Sequence, residues 1–290
     1  MAESEVYESV SESDNAYGAV GLDELLARVL AVLGRPRAGL VTDVDGTISP
    51  IVARPEEAMV LPRARQALVE LRDRLTVVAI VTGRAVSDVR QLIGIDGLTY
   101  IGNHGLETWS DGQAQTLPEA RPWEPRLAAA LDQVAARLSP ILREEVIIEN
   151  KGASASIHYR LAPDADQARR ELLEALAGPA ADLVVEEGRR VINLLPPLRI
   201  SKGSAVTWLV RQHQLEGIVY FGDDLTDAHA FEALADLRQA GGVSTLGIGV
   251  VGPETPPSVR QLVDASVPTV AAAAELLGRV AEGLTSRIEC

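Results

Sequence analysis

The run Leu40-Val41-Thr42-Asp43-Val44-Asp45-Gly46-Thr47-Ile48 constrains this chain more than any other stretch. An apolar, β-branched segment that ends in an acid reads as a buried strand delivering Asp43 to the carboxyl edge of an open α/β sheet, where such sheets bind ligands. Gly46 then permits a sharp backbone turn. Asp43 and Asp45 stand one residue apart with no base beside them, and would repel each other unless a hard cation joined them. Mg2+ fits, because it takes oxygen ligands and works beside substrate phosphates. A structural Ca2+ loop of the EF-hand kind is excluded: counting from Asp43, its required Gly and Glu positions hold Ile48 and Arg54. A solvated acidic turn is the plain alternative, distinguished only by what accompanies the motif.

At 290 residues and 47% apolar content, the chain suits two domains and can bury a sizeable core. A formal net charge of -14 speaks against a nucleic-acid or anionic-membrane surface, which needs basic patches. It does not speak against an anionic substrate, since a bound metal inverts the field locally. Cys290 is the sole cysteine, so no disulfide framework can form within the chain. Neither a cleavable signal nor a membrane-spanning apolar run is legible, and a cytoplasmic location is expected. Residues 1–18, acidic and serine-rich without Lys or Arg, read as a disordered tail.

Apolar residues at helical spacing over Leu22–Leu33, closed by Gly34 and Pro36, predict a helix before the first strand. After the opening motif, Pro62–Leu71 reads as a helix and Thr76–Val81 as a strand ending at Thr82-Gly83-Arg84. A helix to about Ile93 and a third strand, Leu98–Ile101, lead to Gly102-Asn103-His104-Gly105-Leu106-Glu107. This alternation is that of a parallel sheet with polar, glycine-bearing turns along one edge. The pattern then changes. A helix (about Glu124–Leu138), paired strands (Glu145–Asn150 and Ser154–Arg160), a helix (about Asp164–Ala177) and paired strands (Leu183–Glu187 and Arg190–Leu195) predict an inserted α+β cap. Alternation resumes with a helix opened by Ser201-Lys202-Gly203 and a strand, Ile218–Phe221, ending at Gly222-Asp223-Asp224-Leu225-Thr226-Asp227. A helix to Leu234, strands at Thr245–Val250 and Ala265–Val267, and a helix over about Val270–Leu284 complete the chain. The glycines of Gly247-Ile248-Gly249-Val250-Val251-Gly252 have dinucleotide-fingerprint spacing, but Pro253, Pro256 and Pro257 stand where a helix should open, so that reading is rejected.

Acid, hydroxyl, cation and acid cluster thus recur in order at Asp43/Asp45, Thr82, Lys202 and Asp223/Asp224/Asp227. Phosphoryl transfer needs such a set: a nucleophile, a proton donor, charge neutralisation and a metal. A lysine at a helix N-terminus opposes the dipole, which suggests an anion to be met there.

This set resembles the haloacid dehalogenase-like (HAD) phosphatases over nearly all of the chain beyond the tail. Within them the chain is similar to the trehalose-6-phosphate phosphatases, on Asp43-Val44-Asp45-Gly46-Thr47, Gly102-Asn103-His104-Gly105, Gly222 to Asp227, and the cap segments Glu149-Asn150-Lys151 and His158-Tyr159-Arg160. The resemblance implies a Rossmann-like parallel-sheet core in two parts, residues 19–115 and 198–290, with an inserted α+β cap of type C2 over residues 116–197. It implies Asp43 as the nucleophile that forms an aspartyl-phosphate and Asp45 as acid, then base. Mg2+ would be held by Asp43, the Asp45 carbonyl and Asp223, with Asp224 and Asp227 orienting ligands or waters. Thr82 and Lys202 would hold the phosphate, and Arg84 would reach the substrate or pair with an acid. Asn103 and His104, in the turn after the third strand, would lie with the substrate. Glu149, Lys151 and Arg160, with His158 nearby, would meet the sugar hydroxyls; a solvated cross-strand charge cluster is the plain alternative.

Two positions depart from the family pattern. Asn193 stands where a sugar-contacting Glu is usual, which would lose charge-assisted hydrogen bonds, and Ala228 replaces the acid that usually follows the Asp-Leu-Thr-Asp turn. The expected activity is hydrolysis of trehalose 6-phosphate, a small-molecule partner, with functional coupling to a trehalose-phosphate synthase. The alternatives are a HAD phosphatase for a different sugar phosphate, or a non-catalytic sugar-phosphate-binding partner of a synthase.

Overall fold

The computed structural model describes residues 21–110, 112–253 and 255–288. The tail expected over residues 1–18, and Cys290, lie outside them. Helix α1 (Leu22–Leu33) leads into β1 (Ala38–Thr42), which is buried at every residue. Helix α2 (Pro62–Arg72), β2 (Val77–Val81), α3 (Val86–Ile93) and β3 (Thr99–Gly102) follow, and β4 (Glu107–Ser110) and β5 (Gln113–Thr116) return as an antiparallel hairpin. The inserted segment runs α4 (Glu124–Arg137), α5 (Pro140–Glu145), β6 (Ile147–Asn150), β7 (Ala155–His158), α6 (Ala165–Leu176), β8 (Val184–Gly188) and β9 (Val191–Leu195). Then come α7 (Lys202–His213), β10 (Gly217–Gly222), α8 (Leu225–Ala240), β11 (Ser244–Val250), α9 (Pro257–Leu262), β12 (Ala265–Val267) and α10 (Val270–Ile288).

The main sheet has the order β12-β11-β10-β1-β2-β3-β4-β5, parallel from β12 to β3. From β1 the chain progresses one way through β2 and β3, and from β10 the other way, so β1 and β10 flank the point where the winding reverses. Ligands of open α/β sheets bind beyond the carboxyl ends of the strands at such a point. Strands buried on both faces need apolar residues throughout, and the pleat divides them between two layers. Leu40, Ile80 and Phe221 pack with α1, α2 and α10, whereas Val41, Ala79 and Tyr220 pack with α7 and α8.

The second sheet, ordered β6-β7-β9-β8, is antiparallel. One face is apolar: Ala155, Ile157, Ile192 and Leu194 bury against Leu127, Leu131, Leu172 and Leu176 of α4 and α6. The alternate residues Glu149, Ser156, His158 and Asn193 consequently face the core.

Four features differ from expectation, the first being the short helix α5, whose last residue, Glu145, was expected to open a strand. The β4–β5 hairpin went unread because Gln113-Ala114-Gln115-Thr116 has no apolar alternation; it extends the antiparallel edge begun on β3. Helix α8 continues past Leu234 to Ala240, since Leu237 still packs on the core and the chain first turns at Gly241 and Gly242, with φ of 81° and 87°. Prolines did not prevent a helix near the glycine run, because α9 opens with Pro257 at its first position, where proline is favourable. Gly247 and Gly249 instead lie inside β11, where a Cβ would come within 2.7 Å of Phe231 and Val263, so they serve packing. Among the described residues no helix is long and apolar enough to cross a membrane.

Candidate active site

Strand register brings the separate turns together. Thr42 pairs with Phe221 on one side and Ile80 on the other, and Val81 pairs with Ile101. Asp43, Thr82, the Asn103-His104 turn and Asp223 therefore emerge side by side, and the ladder continues beyond the strands: Asp43 N–H donates to Phe221 O at 2.9 Å and Thr82 N–H to Ile101 O at 3.0 Å.

Lys202, at the first position of α7 and 2% exposed, reaches this edge from below. Its Nζ lies 2.9 Å from Asp43 Oδ2 and 2.7 Å from Asp227 Oδ1. Asp227 also accepts from Tyr220 Oη and, through Oδ2, from the N–H groups of Asp223 and Asp224 at 3.0 Å. Asp223 Oδ1 accepts from Thr47 Oγ1 at 2.9 Å, whereas the buried Asp223 Oδ2 has no hydrogen-bond partner. Two of these carboxylates, Asp43 and Asp227, thus share the Lys202 ammonium, while Asp223 faces the Arg189 guanidinium at 3.3 Å. Burial, relieved by Lys202 and aggravated by Asp227, pushes the Asp43 carboxyl up to about 7. Burial and then the charges of Asp227 and Asp43 hold Asp223 well above the carboxylate range. Burial opposes the charge on Lys202, but Asp227 and Asp43 outweigh it and raise its pKa.

This arrangement fits a hard divalent cation. Oxygens of Asp43, Asp223 and Asp227 lie within 4.8 Å of one another. Both Asp227 oxygens are already engaged in hydrogen bonds, so Asp43 and Asp223 Oδ2, which accepts none, are the better ligands, with Asp227 supporting them. Gly46 makes the space: its φ is +84°, and a Cβ there would come within 2.2 Å of Asp223 Oδ2. An all-oxygen donor set matches Mg2+.

Of the two readings of Arg84, the structure has it pairing with an acid. Its Nε and Nη2 donate to the two oxygens of Asp45 at 2.6 and 2.8 Å, and both Nη groups reach Pro55 O at 3.1 Å. Thr82 Oγ1 accepts from Arg84 N at 3.3 Å, so its hydroxyl proton can go to another acceptor. His104 lines the cleft with φ of 59°, and both ring nitrogens are buried without partners. Burial, then the charges of Lys151 and Lys202, hold its pKa well below the usual histidine range and the ring neutral. Asn103, expected to lie with the substrate, is engaged with the inserted segment. Its Oδ1 accepts from Ser154 Oγ at 2.6 Å and its Nδ2 donates to Lys151 O at 3.2 Å, fastening the inserted segment to the core.

Opposite the acids, Lys151 Nζ donates to Gly83 O at 2.7 Å and stands 4.0 Å from Glu149 Oε2. Arg160 Nη1 lies 3.2 Å from His158 Nδ1, and His158 Nε2 lies 3.1 Å from Glu149 Oε2. A guanidinium only donates, so His158 accepts at Nδ1 and donates from Nε2 to Glu149. Burial keeps His158 below its ordinary pKa. Burial works against the Glu149 charge, but the His158 bond and Lys151 prevail and lower its pKa. Asn193 Oδ1 accepts from Ser156 Oγ at 2.6 Å, leaving the amide N–H groups toward the cleft.

The structure therefore gathers Asp43, Asp45, Thr82, Arg84, His104, Glu149, Lys151, His158, Arg160, Lys202, Asp223 and Asp224 around one cleft. Asp227 lies beneath it. Unforeseen were Thr47, Tyr220, Ser156 and Arg189. Thr47 and Tyr220 sit within or beside motifs already read; nothing local marks Arg189, which stands 3.3 Å from Asp223 Oδ2.

Residues 41–255 match the family model described as trehalose-phosphatase. An uncharacterized glycosyl hydrolase of Mycobacterium tuberculosis is 33% identical over 243 residues, covering 79% of this chain and 17% of that protein. The trehalose-phosphate phosphatase of Mycobacterium avium is 35% identical over 198 residues, covering 66% of this chain and 50% of that protein. The chain thus spans half or less of the length of these curated relatives. The C-terminal domain of Candida albicans trehalose-6-phosphate phosphatase superposes with a TM-score of 0.74 at 20% identity, covering 92% of this chain and 98% of that one. The fold is accordingly the haloacid dehalogenase-like α/β core with a cap.

Proposed function

The chain belongs to the trehalose-phosphatase family, and from that membership we propose that it is a Mg2+-dependent phosphatase hydrolysing trehalose 6-phosphate to trehalose and inorganic phosphate. The observation that carries the reading is the Lys202 ammonium, held 2.9 Å from Asp43 and 2.7 Å from Asp227 beside an Asp223 oxygen that accepts no hydrogen bond. A buried carboxylate cluster of this kind is electrostatically unfavourable unless a further cation completes it, and that cation would in turn draw an anionic phosphoryl group.

In this proposal Asp43 attacks phosphorus and forms an aspartyl-phosphate, while Asp45 protonates the departing sugar oxygen. Asp45 then takes a proton from water, which attacks the acyl phosphate and regenerates Asp43. Arg84 holds Asp45 by both oxygens, so it must ease its grip before Asp45 can carry the proton. Thr82 donates to a phosphoryl oxygen and Lys202 neutralises charge on Asp43 and the phosphate. Asp43, the Asp45 main-chain carbonyl and Asp223 would hold Mg2+, which supplies positive charge to the phosphoryl oxygens. Asp224 and Asp227 keep Asp223 and Lys202 in place.

We assign the cap to residues 116–197 and sugar recognition to Glu149, Lys151, His158 and Arg160, with His104 beneath. The cleft is lined by the core and by the inserted segment together, so in this reading the cap moves to admit the ester. Coupling to a synthase that supplies the ester belongs to the same reading. The test is phosphate release from a panel of sugar phosphates with and without Mg2+. Trehalose 6-phosphate should give the highest kcat/KM, and a much higher value for another ester would overturn the substrate. Asp43→Asn should reduce release by about 10³-fold or more, as loss of a nucleophile does, and Asp45→Asn should reduce it severely. Full activity in Asp43→Asn would remove the nucleophile.

A further inference from the structure

Arg189 lies in the tight turn between β8 and β9, at the tip of a cap hairpin, and its guanidinium crosses to the core. Nη2 donates to Thr255 Oγ1 at 2.7 Å and to the Asp223 main-chain carbonyl at 3.2 Å. Nη1 stands 3.3 Å from Asp223 Oδ2, the carboxylate oxygen that has no hydrogen-bond partner. The Arg189 N–H donates to Asp224 Oδ2 at 3.4 Å, and a Cβ at Gly188 would come within 2.6 Å of that oxygen, so a glycine is what lets the tip approach so closely. Arg189 is thus a second cation, carried by the cap, facing Asp223 in a cluster where Asp43 and Asp227 share Lys202.

We propose that Arg189 is a positioning residue that latches the cap over Asp223, and that its hold alternates with that of the metal. Two cations facing one carboxylate oxygen repel each other, so metal loading loosens the latch. The phosphate of a bound ester returns negative charge to the cleft, and the arginine closes again. Closure thereby follows substrate. The alternation rests on the assignment of Asp43 and Asp223 as metal ligands; the latch itself does not.

The test is the cap-to-core distance in the whole chain. Cys290→Ser removes the native thiol, and Glu174→Cys on α6 with Asp236→Cys on α8, both exposed, carry a donor and acceptor dye. The wild-type pair should give a short distance without metal, a longer one with Mg2+ alone, and a short one again with Mg2+ and inorganic phosphate. Arg189→Gln should give the longer distance in all three conditions and bind Mg2+ several-fold more tightly by calorimetry; Arg189→Lys, keeping the charge, should restore part of the response. Circular dichroism identical to wild type would exclude misfolding. An Arg189→Gln protein as closed as wild type without metal would overturn the latch. An unchanged wild-type distance on saturating Mg2+ would overturn the alternation. Absence of Mg2+ binding by the wild type would instead defeat the functional reading, while the metal-free comparison would still decide the latch.

Discussion

Gly46 illustrates how much of the site hangs on single residues. Its φ of +84° and the 2.2 Å that a Cβ would leave to Asp223 Oδ2 set both a backbone and a steric requirement. Gly46→Ala should lower stability by about 1–3 kcal/mol, as strained backbone does, and weaken Mg2+ affinity; denaturant unfolding and calorimetric titration would check this. His104 makes the opposite kind of point, since no partner satisfies it. The unfolded chain takes up a proton on this ring below about pH 6.5, whereas burial keeps the folded ring neutral. The unfolded state therefore binds more protons, and stability is lost as pH falls through that region toward the depressed pKa, by up to about 1.4 kcal/mol per pH unit. Burial of His158 adds to the same limb. His104→Asn, which tolerates the left-handed backbone, should flatten part of it in urea unfolding measured between pH 7 and 5.

At the scale of elements, two turns join cap to core on opposite sides of the cleft. On one side the turn after β3 meets the turn between β6 and β7, through Asn103 with Ser154 and Lys151 with Gly83. Leu106, Ala120, Ala153 and Leu195 form a small apolar cluster that adds buried contact on this side. The Asn103–Ser154 bond is buried, so removing either partner leaves the other unsatisfied. A double-mutant cycle on Asn103→Ala and Ser154→Ala should return a coupling of about 0.5–3 kcal/mol in unfolding free energy. Additive effects would mean that the two side chains do not act as a unit. Neither turn could be assigned this task from its own residues, because the contact joins segments 51 positions apart.

For the whole molecule, a buried cluster of carboxylates predicts that metal stabilises the fold. Mg2+ at about 100 times its dissociation constant should add about 2.7 kcal/mol, seen as a rise in Tm that chelation reverses; Lys202→Met should change that rise, since it removes the ammonium already shared by Asp43 and Asp227. The division between sequence and tertiary structure follows the range of the forces involved. Alternating apolar strands and helices, broken by an antiparallel unit, made the sheet and its insertion legible, because periodicity is local. Asp43, Asp45, Thr82, Lys202 and Asp223 were legible for a related reason: each ends a strand or opens a helix of that pattern, and parallel register aligns such ends without further instruction. Family resemblance supplied Glu149, Lys151, His158 and Arg160. What the cap does to the acids was not legible anywhere in the chain. That Arg84 holds Asp45, that Asn103 bonds the insert, and that Arg189 faces Asp223 were decided only when two sheets closed on each other, since burial and charge pairing across a cleft depend on distances that no local stretch encodes.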